Sequence, residues 1–336
     1  MDCPHACLLP LSGAGELTST QCSGLRLAPR APQVTYGNRA YLVFNATETC
    51  PQAFSAAVYE HSPGFFLLGR ALKFTVDLSS AGCACCGSFY LSSMPGYGPD
   101  GAPMPGQDGD YACVASDAKD PSGGAYARCP EVDIIEANNH ALQICPHKCD
   151  APAGHVYPSC DGGGCDVGTI YFTFLSLYGP GPNYTIDTTR PFDVTTSFGL
   201  DDAGLLVSVL TVLSQPGGVE SVSFDLTDLI CGTSYLENVT APLPAGMTPV
   251  FSMWGGTGER MQWLDVPPCD VSEACVGVGA AMIVSNVSIT TLPAVTMQQA
   301  RPRRSDHRGP MQRVQRHDSA RVPPQWGQDG WLGGGG

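Results

Sequence analysis

Residues 129–149 read CPEVDIIEANNHALQICPHKC, and three acidic side chains fall within six of these positions. Successive side chains of a β-strand point to opposite faces. Glu131 and Asp133 would therefore share one face, while Val132 and Ile134 would point to the other. This pattern predicts a strand that turns acids toward solvent or a cleft and aliphatic side chains toward a core.

Glu136 has the wrong parity for the acidic face of a regular strand. A single-residue β-bulge at Ile134 or Ile135 corrects this, because the extra residue shifts the alternation by one position. All three carboxylates would then lie on one face, with both isoleucines inward. Because bulges are frequent next to active sites, the stretch predicts a functional strand.

The composition of the whole chain favours a β-rich globular protein. The 336 residues include 40 Gly and 29 Pro, and only 14% are charged, which argues against coiled coils and helical bundles. The hydrophobic content of 43% argues against a disordered chain. No apolar run approaches the roughly 18–20 residues that a transmembrane helix needs, so no membrane association is expected.

Short segments rich in β-branched and aromatic residues recur along the chain, separated by Gly, Pro, Ser and Asn. Helical periodicity is nowhere sustained, and no internal repeat is visible. The predicted fold class is therefore all-β, a sandwich or jelly roll in a single domain. The segments predicted as strands lie at 40–44, 65–69, 72–78, 88–93, 169–179, 184–189, 192–198, 205–213, 219–226, 248–254 and 281–290.

Sixteen cysteines allow up to eight disulfides in an oxidising compartment, whereas close pairs such as Cys145 and Cys149 would suggest zinc ligands in the cytosol. Four N-x-[ST] sequons favour export. The first residues, MDCPHACLLPLSGAGE, show no basic region and no apolar stretch of a signal peptide, so a secreted protein is expected whose leader is missing or misread. The predicted glycosylation sites are Asn45, Asn183, Asn238 and Asn286.

The two ends of the chain differ from its middle. Residues 1–36 are predicted to form an irregular, Cys-containing segment, residues 37–295 the β-sandwich, and residues 296–336 a disordered tail rich in Arg, Pro and Gly. The seven Arg and three Asp of residues 301–336 give this tail a charge of +4. Because the whole chain has a net charge of −14, residues 1–300 carry −18. Such an acidic body repels phosphate backbones, so no nucleic-acid partner is expected, and a neutral ligand such as carbohydrate is favoured.

Two carboxyls on one strand face could serve as the catalytic groups of a retaining glycosidase. Such an enzyme needs one ionised nucleophile and one protonated acid about 5–5.5 Å apart. A protonated Asp133 would orient Glu131, while accumulated negative charge and partial burial would raise the pKa of Glu136. Taken alone, E-x-D-x-x-E also fits a Ca²⁺ site or an ordinary solvated strand face. These alternatives stay open on the motif by itself.

The stretch ExDxxEAN followed by P-H-x-C resembles the catalytic strand of glycoside hydrolase family 7, the fungal-type cellulases. Other segments resemble that family in the same order, over roughly residues 37–290: GNRAYL at 37–42, FFLLG at 65–69, LKFTVDLSSAGC and SFYLSSM, CDGGGCD at 160–166, YGPGPNYTIDTTRPFDVTTSF at 178–198 and AGMTPVFSMWGGTGERMQWLD at 245–265. The laminarinase and lichenase family has a similar ExDxxE strand but normally lacks this context. The resemblance implies a concanavalin-like β-sandwich with a long substrate cleft on its concave sheet.

The resemblance also implies site residues. Glu131 would be the nucleophile, Asp133 its assisting acid and Glu136 the general acid and then base. His147 matches the family's active-site histidine; the alternative is a turn residue held between two cysteines.

Five further residues match the family's sugar-contacting positions. Trp254 and Trp263 match platform tryptophans, whose indole faces suit the apolar face of a glucosyl ring, although either could be core. Arg39, Tyr90 and Tyr111 fall where the family has cleft residues.

Several departures from the family bear on the mode of action. Gly255 stands where the family has an Asp, Tyr171 where it has an Arg, and a second product-side Arg has no counterpart near 273–275. The segments 111–131 and 198–245 are shorter than in the tunnel-forming members. We therefore expect an open cleft and internal cleavage of β-1,4-glucosidic bonds in cellulose or a related β-glucan.

Two alternative functions are a chain-end cellobiohydrolase of the same family and a catalytically weak glucan-binding sandwich. A binding module has no need of all three acids, so their joint presence favours an enzyme. No nucleotide-binding Gly loop, Ser-His-Asp elbow or H-E-x-x-H signature occurs, so neither an organic cofactor nor a catalytic metal is expected. The expected protein is a monomer.

Overall fold

The computed structural model describes residues 33–35, 38–41 and 65–293, with gaps at 95, 99, 103–112, 116–127, 155, 171–175, 219, 233, 241–242, 244–245 and 276–279. Within this part of the chain, strands dominate and the three helices are short. None of these helices is long and apolar enough to cross a membrane. The elements are β1(Gln33–Thr35), β2(Asn38–Tyr41), β3(Arg70–Asp77), β4(Cys85–Ser92), β5(Glu131–Ala137), β6(Leu142–His147), β7(Val167–Gly168), β8(Tyr178–Gly179), β9(Ile186–Asp187), β10(Phe192–Leu200), β11(Leu206–Ser214), β12(Ser221–Thr227), α1(Asp228–Cys231), α2(Tyr235–Thr240), β13(Thr248–Gly255), α3(Gly258–Asp265) and β14(Ala281–Thr291).

Two six-stranded antiparallel sheets form the body of the protein. Sheet A has the strand order β1-β14-β3-β10-β11-β12, and sheet B has the order β2-β13-β4-β5-β6-β7. The remaining strands, β8 and β9, form a small parallel pair. The predicted all-β sandwich is confirmed.

The core lies between the two sheets and is filled with aromatic and aliphatic side chains. Phe74 of β3 packs edge-on against Phe89 of β4, with ring centroids 4.8 Å apart, and Phe89 also contacts Phe251 of β13 at 4.3 Å. These three rings are fully buried and join sheet A to sheet B. Burial of such large apolar side chains is the main source of the sandwich's stability.

The strand predictions are confirmed best where apolar and polar residues alternate. β3, β4, β10, β11, β12, β13 and β14 each lie within two or three residues of a predicted segment. The segment 65–69 is a turn rather than a strand, with Gly69 at φ 68°. Within the described part of 169–179 and 184–189, only the two-residue strands β8 and β9 form.

A short strand precedes residue 37, the position where the sandwich is predicted to begin. Residues 33–35 form β1, which pairs antiparallel with β14 through Gln33 opposite Ile283 and Thr35 opposite Ala281. The sandwich therefore begins inside the segment predicted to be irregular, because the open edge of β14 takes up this short strand. Residues 1–32 and the predicted tail at 296–336 lie outside the described residues.

Five disulfides cross-link the described part of the chain, and this contradicts the zinc-protein alternative for these cysteines. Cys149 pairs with Cys160, so it is not the partner of Cys145 in a metal site. Two of the described cysteines, Cys86 and Cys145, are free and buried. The bonds are Cys83–Cys269, Cys85–Cys275, Cys113–Cys129, Cys149–Cys160 and Cys165–Cys231.

Candidate active site

The predicted bulge lies in β5, the strand that carries the three acids. In the pairing with β4, Phe89 is opposite Ile135 and Tyr90 is opposite Asp133, so Ile134 is the extra residue. Both Ile134 and Ile135 are fully buried in the core between the sheets. The bulge thus turns both isoleucines inward, as expected, and restores the parity of the acids.

The face of sheet B that points away from the core is called the acid face below. Pairing across β4, β5 and β6 brings polar residues together there: Ser92 and His147 flank Glu131, while Ser88 and Gln143 flank Glu136. Most of these side chains are buried although they lie outside the apolar core. The acid face is therefore a packed polar layer. This burial argues against the alternative that E-x-D-x-x-E marks an ordinary solvated strand face. Its residues are Cys86, Ser88, Tyr90, Ser92, Glu131, Asp133, Glu136, Gln143, Cys145 and His147.

Glu131 is only 8% exposed and is held by the segment 113–115. The main-chain N–H of Ala115 donates a hydrogen bond to its Oε2 at 2.8 Å. The segment is itself fixed by the Cys113–Cys129 disulfide and by Ser92, whose hydroxyl donates to the Cys113 carbonyl at 2.6 Å. These contacts fix the orientation of the Glu131 carboxylate.

Asp133 and His147 form a buried pair at the centre of the acid face. His147 Nε2 lies 2.8 Å from Asp133 Oδ2, and Nδ1 lies 2.7 Å from the Asp161 carbonyl oxygen. Burial alone would lower the pKa of His147, but the hydrogen bond to Asp133 and the contact with Cys145 raise it well above its ordinary value. In the protonated ring both N–H groups donate, one to each partner.

Asp161 holds His147 in place and was not singled out by the sequence analysis. Its Oδ1 accepts hydrogen bonds from the N–H groups of Gly163 and Gly164, and its Oδ2 accepts one from the Tyr235 hydroxyl at 3.0 Å. The CDGGGCD segment therefore forms a tight loop that presents a carbonyl to the histidine ring. The three consecutive glycines were the available signal, since such a run marks a close backbone approach.

Gly164 shows why this loop needs glycine. Its φ is +65°, and a Cβ there would overlap Cys145 Sγ and approach His147 Cε1 within 2.7 Å. A side chain at this position would therefore push the histidine ring away from Asp133.

The pKa of Glu136 is raised well above its ordinary value. Burial is the largest cause, and the charges of Asp133 and Glu131 add to it, while His147 acts in the opposite direction. Glu136 is thus the acid-face carboxyl best suited to carry a proton and deliver it. The general-acid role expected for Glu136 from the sequence stays a prediction.

The two tryptophans predicted to bind sugar lie together near Glu136. Trp254 follows Met253 in β13, and its Nε1 donates a hydrogen bond to Ser88 Oγ at 2.9 Å. Ser88 is the residue opposite Glu136 in β4. Trp263 lies on α3, and the two indole rings stack with centroids 6.0 Å apart and planes 21° apart. Both are half-buried against a small apolar cluster rather than in the main core.

The turn between β5 and β6 anchors this arrangement. Asn138 Oδ1 accepts from the N–H groups of His140 and Ala141, and its Nδ2 donates to the Cys85 carbonyl and to Asp265 Oδ2 at 2.7 Å. Asp265 ends α3 and is fully buried, and burial raises its pKa. The turn therefore ties β5 to the helix that carries Trp263.

Gly255, the position where the family has an Asp, is explained by packing. A Cβ there would lie 2.6 Å from the Ala84 carbonyl oxygen and 2.6 Å from Cys275 Cβ. The Cys85–Cys275 disulfide crosses this point. No side chain fits at residue 255 while that crossing is kept.

The other predicted sugar contacts are placed as follows. Tyr90 is buried on the acid face opposite Asp133. Arg39 lies in β2 opposite Ser252 of β13, which in turn is opposite Ser88. Tyr111 lies outside the described residues, so its proximity to the site stays a prediction.

Three of the four predicted glycosylation sites carry exposed asparagines. Asn183, Asn238 and Asn286 are accessible to solvent, and Asn45 lies outside the described residues. Exposure is required for modification but does not by itself show it. Glycosylation at these positions therefore stays a prediction.

Comparison with known proteins agrees with this geometry. Residues 108–229 match the model of glycosyl hydrolase family 7. Endoglucanase EG-1 of Hypocrea jecorina is 33% identical over 234 residues, which cover 62% of this chain and 48% of that protein. A probable endo-beta-1,4-glucanase, celB, of Neosartorya fischeri is 31% identical over 237 residues, 62% and 58% of the two chains. The chain spans about half the length of these curated relatives.

Solved structures show the same fold at lower sequence identity. An endoglucanase I complexed with cellobiose superposes with a TM-score of 0.61 at 23% identity, covering 83% of this chain and 81% of that one. A family 7 cellobiohydrolase from Daphnia pulex gives 0.52 at 20% identity, covering 68% and 71%. The bulged acid strand, the family-model match over residues 108–229 and these relatives all indicate similarity to glycosyl hydrolase family 7.

Proposed function

We propose that this protein is a retaining glycoside hydrolase that cleaves internal β-1,4-glucosidic bonds of cellulose or a related β-glucan. The observation that carries the proposal is the bulge at Ile134, which sets Glu131, Asp133 and Glu136 on one polar, largely buried face. A solvated strand face would not need that arrangement. The endoglucanase names of the curated relatives support the same activity.

The first half-reaction assigns opposite protonation states to two carboxyls. Glu131, ionised and held by the Ala115 N–H, attacks the anomeric carbon and forms a glycosyl ester. Glu136, whose pKa is raised, gives its proton to the departing glycosidic oxygen. The bond from anomeric carbon to leaving oxygen breaks as the bond to Glu131 forms.

The second half-reaction reverses these roles. Glu136, now ionised, takes a proton from water, and the water attacks the anomeric carbon and releases Glu131. Two inversions give overall retention. Asp133 and His147 lie beside both acids, and their 2.8 Å contact fixes the charge distribution of the acid face through both steps.

The tryptophans give the site its substrate class. Two stacked indole faces beside Ser88 and Glu136 offer an apolar platform for the C–H face of a glucosyl ring. The strongly acidic body favours a neutral polymer over an anionic one. Five disulfides among the described residues support the proposal that the protein works outside the cell.

The test is hydrolysis of carboxymethyl-cellulose, lichenan and laminarin by the oxidatively folded protein. The expected result is a rapid fall in viscosity and a product of retained anomeric configuration on cellulose. Glu131→Gln is expected to lose at least about 10⁴-fold in rate. A matched control is Asp225→Asn, which alters an exposed carboxyl of sheet A and should keep full activity.

Three outcomes would change the proposal. Release of cellobiose alone, without a fall in viscosity, would favour a chain-end enzyme. Glucan binding without hydrolysis by folded protein would favour a binding module. Inverted product configuration would exclude the covalent intermediate on Glu131.

A further inference from the structure

Cys145 is a buried free thiol in contact with the acid pair, and the proposed hydrolysis makes no use of it. It lies on β6 opposite Asp133 and two residues before His147, so it shares the acid face with both. Its Sγ, a ring nitrogen of His147 and a carboxylate oxygen of Asp133 all lie within 4.8 Å of one another. The three side chains differ in chemistry and together offer one sulfur, one nitrogen and one oxygen donor.

We propose that Asp133, Cys145 and His147 form a binding site for Zn²⁺ or Cd²⁺, and that the bound ion blocks hydrolysis. Thiolate, imidazole and carboxylate are the ligands that Zn²⁺ takes in proteins, and three protein ligands leave a fourth position for water or substrate. Ligands of a tetrahedral Zn²⁺ lie about 3.3–3.8 Å apart, given bonds of about 2.0–2.3 Å. The donors need to move by about an ångström or less to reach this spacing.

The contacts around His147 already suit a metal ligand. Its Nε2 faces Asp133 at 2.8 Å, and its Nδ1 faces the Asp161 carbonyl oxygen at 2.7 Å. A metal-bound histidine characteristically donates its second ring N–H to a carbonyl or carboxylate, which fixes the ring. The ion would replace the protons on His147 Nε2 and Cys145 Sγ, which pass to solvent as it binds. The remaining Nδ1–H would keep its contact with the Asp161 carbonyl without rearrangement of the loop.

Two comparisons within the described residues support the choice of this cluster. Cys83, His140 and Cys269 also lie close together, but Cys83 and Cys269 are joined in a disulfide and offer no thiolate. Cys86 is a buried free thiol on the neighbouring strand β4, but among the described residues it belongs to no such donor cluster. Cys86 is therefore a matched control for a thiol that is buried on the same face.

Metal binding itself does not rest on the proposed function, whereas the inhibition does. An ion at this site would occupy Asp133 and His147 and place a positive charge beside Glu131 and Glu136. The attack by Glu131 and the proton transfer from Glu136 could then not proceed. Binding and inhibition are measured separately, so failure of the hydrolase proposal leaves the metal proposal testable.

The experiment is calorimetric titration of the oxidatively folded protein with Zn²⁺, and ultraviolet titration with Cd²⁺ to detect the thiolate-to-metal charge-transfer band. Wild type and Cys86→Ser should bind one ion and show the band. Cys145→Ser should lose the band and bind Zn²⁺ about 100-fold more weakly or worse, since even an outer-shell partner contributes about 10- to 100-fold. Circular dichroism and thermal unfolding check that each variant is folded.

A second variant, Asp133→Asn, covers the case in which Cys145→Ser does not fold. It keeps the thiol and the side-chain shape but removes the carboxylate ligand, so it should also weaken Zn²⁺ binding. In the hydrolysis assay, each variant is compared with itself in the presence of a chelator, and Zn²⁺ should inhibit wild type and Cys86→Ser but not Cys145→Ser. Absence of binding, or equal binding by wild type and Cys145→Ser, would overturn the proposal.

Discussion

Sheet A and sheet B are built from the same number of strands but are buried in different ways. In sheet A, β10, β11 and β12 alternate buried and accessible residues along most of their length. In sheet B, every residue of β4 and β6 is buried, and only Glu136 of β5 is partly accessible. Sheet A has a solvated face, whereas the central strands β4, β5 and β6 of sheet B are covered on both faces.

The difference coincides with the position of the candidate active site, which lies on sheet B. The outward side chains of sheet A are solvated, so their charges are screened and their pairs contribute little. The outward side chains of sheet B are shielded by the loops 113–115 and 160–165 and by α3, so their charges act strongly on one another. This shielding raises the pKa of Glu136, whereas burial opposes the rise in the pKa of His147, which comes from its contacts with Asp133 and Cys145.

The largest contrast is expected from removing one carboxyl from each sheet. Glu136→Gln should lower the rate on cellulose by about 10²–10⁴-fold, because the leaving group loses its proton donor. On an activated aryl glycoside the first step needs no acid, so the loss should be much smaller. Asp225→Asn in sheet A should keep full activity on both substrates. Equal losses of Glu136→Gln on both substrates would contradict its role as the acid.

A pair of glycine substitutions tests the shielding directly. Gly164→Ala should displace His147 from Asp133 and lower activity by about 100-fold, since a misplacement of about 1 Å has that effect. Gly204→Ala lies in the β10–β11 turn of sheet A, where φ is +82° and no atom lies within 4 Å of the new Cβ. It should cost only about 1–2 kcal/mol of stability and leave activity unchanged. Steady-state rates and urea unfolding separate the two effects.

The pH dependence should report the shielded groups. The protonated forms of Glu136 and His147 persist above their ordinary pKa values of 4.5 and 6.5. Both folded-state pKa values are raised, so the stability that these groups contribute is present at low pH and is lost as the pH rises through the raised values. Activity should likewise fall about tenfold per pH unit above the raised pKa of Glu136, because the acid is ionised. An alkaline limb that survives in Glu136→Gln would assign it to another group.

The smallest effect is expected for an ion pair on the wet face of sheet A. Lys73 Nζ lies 2.9 Å from Asp193 Oδ2, and the lysine side chain is half-exposed. Lys73→Ala should change the free energy of unfolding by less than about 1 kcal/mol and leave the rate of hydrolysis unchanged. A large loss of activity would show that the two sheets are coupled more tightly than their burial suggests.

The contrast between the sheets also explains what could be predicted from the sequence. Alternation located the strands of sheet A, and parity located the bulge at Ile134 or Ile135, because both depend on which residues face the core. The hydrogen bond between His147 and Asp161 could not be predicted in this way, because it uses the backbone carbonyl of Asp161, a group that every residue has. The helix α3 was not predicted because its eight residues are too few to show a helical period. The disulfide pairs Cys83–Cys269 and Cys85–Cys275 join residues whose proximity arises only from the finished fold.

Those two disulfides have a consequence for how the protein is made. Three thiols, on Cys83, Cys85 and Cys86, emerge from the ribosome within four residues, and the partners of the first two follow 186 and 190 residues later. At a synthesis rate of about 5–20 residues per second, these thiols wait roughly 10–40 s for their partners. The Cys113 and Cys129 thiols emerge in the meantime and are competing partners. A host that produces this protein in active form must therefore delay oxidation or reshuffle early bonds until Cys269 and Cys275 have been translated.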